Sequence, residues 1–207
     1  VLRIFGPSLQ EKADKAGQIV LVTTPSWNDF HATLTACEKT NEGWQPVIGP
    51  LKAVIGRSGF SLDKCEGDGA SPVGVFSIGQ FFFGSNSKPA GLKFPYRQTT
   101  ENDFWVDDSD SPFYNTWQTG PAEERWKSAE ELKRDDDLYK YAAVIQYNIP
   151  AKRGKGSAIF FHLWRDENSP TQGCTALAEA DVLSILRWLD PEKKPVFLQG
   201  PTELIER

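Results

Sequence analysis

A chain of 207 residues, 39% of them hydrophobic, is long enough for a full hydrophobic core and too apolar for disorder. Its formal net charge of −5 argues against nucleic acid as a partner, because such domains present a net basic face. No apolar run approaches the ~20 residues of a membrane span, so no transmembrane segment is expected.

The chain begins at Val1 and contains no Met. A removed or omitted N-terminal segment is therefore expected, with room for a signal peptide and hence for export to a periplasm-like compartment. Three cysteines stand at 37, 65 and 174, and an odd number in an exported protein flags one thiol. Either Cys37 and Cys65 are bridged and leave Cys174 alone, or both are small buried residues.

The first half reads as strands. Gln18 to Thr24 is a buried apolar run bounded by Gly17 and Pro25. Phe30 to Cys37 alternates as a half-buried strand does, and Pro50 to Arg57 and Gly74 to Phe81 look similar. Turn signals lie densely between them, at Asn41-Glu42-Gly43, Arg57-Ser58-Gly59 and Gly67-Asp68-Gly69.

From about 85 to 140 the pattern changes to an irregular stretch with Pro89, Pro95, Pro112 and Pro121, helical in places over Glu123 to Tyr141. Such a stretch in a compact domain predicts an insertion that caps or lines a groove. Strands return at Ala142 to Tyr147 and Ser157 to Leu163. Ala178 to Leu189 carries Val182, Leu186 and Leu189 on one helical face and is closed by Asp190-Pro191. Val196 to Gln199 is a short final strand. The fold class is mainly β with a peripheral helix, expected as one domain over 1–207.

The segment Ser157 to Leu177 carries the chemistry. His162 ends a buried strand, a polar loop follows, and Thr171-Gln172-Gly173-Cys174 stands just before the predicted helix. A Cys at a helix N-terminus lies beside unpaired N–H groups that favour a thiolate and can hold an oxyanion. A strand-borne His is rigid, as a general base should be. The other His, His31, sits between Phe30 and Ala32 on an apparent strand and is given a structural role. Both Cys174 and His162 also fit as buried core residues.

The strand-ended His, the loop and the Thr-x-Gly-Cys motif together resemble the catalytic motif of the bacterial L,D-transpeptidases. Gly67 to Phe76, GDGASPVGVF, is similar to the upstream Gly-x-x-x-Ser/Thr-Pro-x-Gly-x-Phe stretch of that family, and GSAIFFH to the segment that delivers its His. The likeness covers most of residues 18 to 200.

The resemblance implies a β-sandwich of the L,D-transpeptidase type with the 85–140 insertion at the groove. It implies Cys174 as nucleophile, His162 as base, and the Leu163 backbone carbonyl as the group that orients the imidazole. The N–H groups of Cys174, Gly173 and Gln172 match the oxyanion hole, and Thr171 matches the family's Ser/Thr. Donor and acceptor stems of peptidoglycan are the implied partners, and no metal or organic cofactor is implied. A monomer is expected.

Departures from the pattern are Gln172 in place of a second His, Thr175-Ala176 after the Cys, a short His-to-Cys loop and the long insertion. Trp164 and Arg165 either wall the groove and bind a stem carboxylate or form an exposed loop. Asp107, Asp108, Tyr114 and Asn115 either recognise the amine or amides of a stem or belong to a solvated acidic loop. Adjacent Asp107 and Asp108 point apart in a strand and make no glycosidase pair. With water as acceptor the same site gives a carboxypeptidase or hydrolase; with a decayed site the chain is a wall-binding module.

Overall fold

The computed structural model describes residues 3–4 and 7–206. Nine strands form one large sheet: β1 (Gln18–Thr24), β2 (His31–Thr40), β3 (Gly43–Val54), β4 (Gly74–Gly84), β5 (Tyr96–Gln98), β6 (Ala142–Ile145), β7 (Phe160–Leu163), β8 (Thr175–Leu177) and β9 (Val196–Pro201). Their spatial order is β6-β7-β8-β3-β2-β1-β9-β4-β5, and β6 pairs with β4 as well, so the sheet closes on itself. Pairs β7–β8, β9–β1 and β4–β5 are parallel. The chain is mostly β with few helices: α1 (Pro7–Asp14), α2 (Glu179–Trp188) and two short 3-10 turns.

The continuous apolar character of β1 has a simple cause. Val20 and Val22 point into the main core, whereas Ile19 and Leu21 point into a second core with Ala13, Ala16, Val196 and Leu198. A strand covered on both faces loses the polar alternation of a half-exposed one. The helix α2 buries Val182, Ile185 and Leu186, the i, i+3, i+4 stripe of an amphipathic helix, against the main core.

Two boundaries differ from expectation. Strand β3 begins at Gly43, well ahead of Pro50, because its first half pairs with β2 alone and is largely exposed. Pro46 and Pro50 are tolerated on such an edge but hide it from a strand reading. Within the insertion, Glu123 to Tyr141 holds no helix. Glu123, Glu124 and Asp137 have φ of 44°, 67° and 61°, outside the right-handed helical region.

That insertion is ordered by a three-stranded antiparallel sheet, Trp117–Thr119, Asp103–Val106 and Ala129–Glu131, with Asp103–Val106 in the middle. Buried Asp103 ties it together, accepting hydrogen bonds from Thr100 N–H, Thr100 Oγ1, Arg97 and Trp117 Nε1. Trp105, Leu132 and Tyr139 then pack with Phe83, Phe160 and Cys174 in a third core, on the outer face of the large sheet.

No disulfide joins Cys37 and Cys65. Cys37 is buried on β2 in the second core, and Cys65 is exposed in a turn held by Asp68. The bridge considered from the cysteine count is not made.

Candidate active site

Strands β7 and β8 run parallel in the register Phe161↔Thr175 and His162↔Ala176. Cys174 therefore stands level with Phe160, one step ahead of β8. Strand side chains alternate between faces, so Phe160, His162 and Cys174 share one face while Phe161 turns into the main core. Strand spacing and rise put the Cα atoms of His162 and Cys174 roughly 8 Å apart. Both side chains line one cleft of about 630 Å³.

The cysteine is not at a helix N-terminus. It enters β8, and α2 starts only at Glu179 after Ala178. A helix field acts over its first turn and does not extend across an intervening strand. Burial instead pushes the Cys174 thiol up to about 12, and the neighbouring Glu130 carboxylate adds to the rise. The sulfur accepts a hydrogen bond from Phe160 N–H and donates one to the Ala158 carbonyl, both at 3.3 Å. Ala158 holds that carbonyl in place from a left-handed backbone, φ 53°, a strained conformation common at functional sites.

His162 is 5% exposed, and burial lowers it to about 4. Its Nδ1 lies 2.6 Å from the Leu163 carbonyl oxygen. A carbonyl only accepts, so Nδ1 carries the proton and Nε2 is left as the acceptor. The Tyr139 ring meets the imidazole edge-on, at 5.1 Å between centroids.

The loop before Cys174 is fastened from two sides. Thr171 bridges to the 55–57 segment, its N–H donating to Ile55 O and its carbonyl accepting from Arg57 N–H. Ser71, buried, donates to Gly173 O at 2.7 Å and accepts from Gly56 N–H at 3.0 Å. The Gly67–Phe76 motif thus meets the Cys motif in space. Gly173 has φ 142°, and a Cβ there would stand 2.8 Å from Ala70 O, so only glycine fits. One expected detail differs. The Gly173 N–H donates to Thr171 Oγ1 at 3.1 Å and is spent inside the turn, so it is not an oxyanion donor in this state. Thr171 Oγ1 in turn donates to Cys174 O at 2.7 Å.

Of the residues expected to touch substrate, Trp164, Arg165, Thr171 and Gln172 line the cleft. Asp108 and Tyr114 do not. The Asp108 carboxylate accepts from the N–H groups of Asp110 and Lys127 and shapes a turn. Tyr114 is buried, donating to Glu66 and accepting from Gly156 N–H. Asn115 is buried as well, its Oδ1 accepting from Trp105 Nε1 and Ala158 N–H. Asp107 does reach the cleft. His31 lies on β2 beside Asp29, half exposed and away from the cleft lining.

Sequence reading missed five titratable cleft residues: Lys64, Glu66, Glu130, Arg134 and Tyr139. Lys64 is 3% exposed and paired with Asp68 at 2.7 Å. Glu130 accepts from Tyr139 OH at 2.5 Å and from Arg134 at 3.4 Å; Arg134 continues to Asp136, and Asp136 to Arg165. Three of the five come from the insertion, where no periodicity marks which side chains turn inward. A lysine next to a turn of Asp and Gly reads as solvated, so Lys64 carried no signal either.

The family model for the L,D-transpeptidase catalytic domain, YkuD, matches residues 31–198. A search of curated proteins finds no match. Among solved structures the chain is similar to the helical cell shape determining protein Pgp2 from Campylobacter jejuni, at 15% identity and a TM-score of 0.49. That alignment covers 96% of this chain and 56% of that one, so the chain spans little more than half its length. On the match to most of its residues, the chain belongs to the YkuD family of L,D-transpeptidase catalytic domains.

Proposed function

We propose that the protein is a peptidoglycan L,D-transpeptidase in which Cys174 forms a thioester with a donor stem and passes it to the amine of an acceptor stem. The observation that carries this reading is the shared face of Cys174 and His162 in one cleft, with the imidazole Nε2 left as acceptor by the Leu163 carbonyl.

With the thiol held up and the imidazole held down, the resting pair is neutral. Attack is then coupled to proton transfer. Sγ bonds to the donor carbonyl carbon while its proton passes to His162 Nε2. The tetrahedral intermediate collapses, the C–N bond breaks, and the departing D-Ala amine takes that proton. Oxyanion stabilisation falls to the Cys174 and Gln172 N–H groups, since that of Gly173 is engaged. The acceptor amine then attacks the thioester and frees the thiol. Export and action as a monomer belong to the same reading.

Incubating disaccharide-tetrapeptide muropeptides with the protein and with Cys174→Ala, followed by mass spectrometry, tests it. Cross-linked dimers made by the wild type alone are the expected result. The charged lining of the cleft, with Lys64, Glu66, Glu130, Arg134 and Arg165, favours one competing outcome, attack by water on the same thioester. Tripeptide monomers without dimers would establish that L,D-carboxypeptidase reading in place of transfer. Identical products with and without Cys174 would sink both and leave a wall-binding module.

A further inference from the structure

Glu130 is out of place if its surroundings serve only to activate a thiol. A carboxylate beside a nucleophilic sulfur opposes the negative charge that must develop there. It also repels the carboxylates of a donor stem, for which Lys64, Arg134 and Arg165 are the matching groups in the same cleft. A carboxylate at this position is complementary to a cation.

Its placement is specific. Glu130 sits on the insertion strand Ala129–Glu131 in register with Trp105, whose ring packs edge-on against Phe160. Phe160 is the residue whose N–H holds the Cys174 sulfur. The Oε1 atom is occupied by Tyr139 OH and Arg134, and Tyr139 leans on the His162 ring. Among the described residues Oε2 accepts no hydrogen bond. One oxygen is thus used to fix the carboxylate, and the other remains available within a cleft shared with Cys174 and His162.

We propose that Glu130 docks the primary ammonium group of the acceptor stem beside the thioester, an assignment that rests on the acyl-transfer reading above. Aminolysis then balances as follows. The acceptor ammonium sheds two protons, the C–N bond forms and the C–S bond breaks. One proton returns to Sγ by way of His162, and the other passes to Glu130 and on to solvent. Burial raises the Glu130 carboxyl above the ordinary range, which suits it to accept a proton. Glu130 thereby sets the balance between amine and water as acceptor.

Glu130→Gln keeps the shape and the acceptor for Tyr139 and removes the charge. Acylation of Cys174 by a tetrapeptide donor, followed by intact-protein mass, is expected to persist. The ratio of cross-linked dimer to tripeptide is expected to fall about tenfold to a hundredfold, the loss of one charge-assisted hydrogen bond. An unchanged ratio overturns the assignment. A second arm needs no change at Glu130: Cys174→Ala protein is titrated calorimetrically with a tripeptide stem whose side-chain amine is free or N-acetylated. Acetylation is expected to weaken binding about tenfold or more; equal affinities would overturn the proposal. Amine-dependent binding without any acylation of wild type would remove the transfer reading and keep the docking site. Acylation with an unaltered product ratio would do the reverse.

Discussion

At neutral pH Cys174 and His162 both rest uncharged, and each leaves a measurable trace. The thiol, pushed up to about 12, should alkylate slowly with iodoacetamide at pH 7 and still be accelerating beyond pH 9. A plateau by pH 7 would mean a standing thiolate. The measurement needs a Cys65→Ser background, because Cys65 is exposed and should react first, without any reductant. His162 gives a stability effect of definite sign. Its folded value of about 4 lies below its unfolded value, so the unfolded chain takes up the proton first. Stability is full above about pH 6.5 and falls by about 3 kcal/mol as pH drops toward 4. Urea titrations at several pH values should show this loss, and His162→Gln should lack it. Cys174→Ala should abolish turnover yet shift unfolding by no more than about 1 kcal/mol, since it removes one sulfur from the edge of a core. A large loss would mark a structural thiol instead.

At the scale of elements, the Cys174 loop depends on Ser71. Ser71→Ala strands the buried Gly56 N–H and the Gly173 carbonyl at once, which should cost about 1–3 kcal/mol and lower turnover. Gly173→Ala should be worse, because a Cβ collides with the Ala70 carbonyl and the backbone is strained. Thermal melts compared with acylation rates would check both, and wild-type values for either would contradict the fastening described. The pairing of the Gly67–Phe76 stretch with the Cys motif was legible only as a family likeness; no spacing rule brings Ser71 to Gly173 across so long a separation. The strand reading worked for β1, β4 and β9, where apolar runs end at turn residues. It failed at β8. Thr175-Ala176-Leu177 is too short to show a period, and the helical pattern after Ala178 draws the eye backward to Cys174.

At the scale of the molecule, the insertion and the large sheet make the site jointly. Its residues Trp105, Leu132 and Tyr139 cover the same face that carries Phe160 and Cys174. Trp105→Ala should cost about 3–5 kcal/mol and loosen Glu130 in the neighbouring register. Transfer to the acceptor should suffer before the fold is lost, so cross-linking should decay at temperatures where far-UV circular dichroism is unchanged; parallel decay would separate the insertion from the chemistry. The irregular character of this segment was readable from its composition. Its inward-facing side chains were not, because three short strands joined by turns of left-handed residues leave no repeat to follow.

The closed sheet bears on how a peptide enters. Strand β7 is paired on both sides, by β6 and β8, and β8 by β7 and β3. Among the described residues no ladder is open beside Cys174 for an incoming chain to extend, so a ligand is not gripped there by its backbone as an added strand. Side-chain contacts and loop N–H groups must do the gripping. Ladder extension would demand uniform handedness along the peptide, whereas this mode does not. A cleft at a sealed sheet therefore places no demand of uniform handedness on the proposed wall-peptide substrate, whose stereocentres alternate.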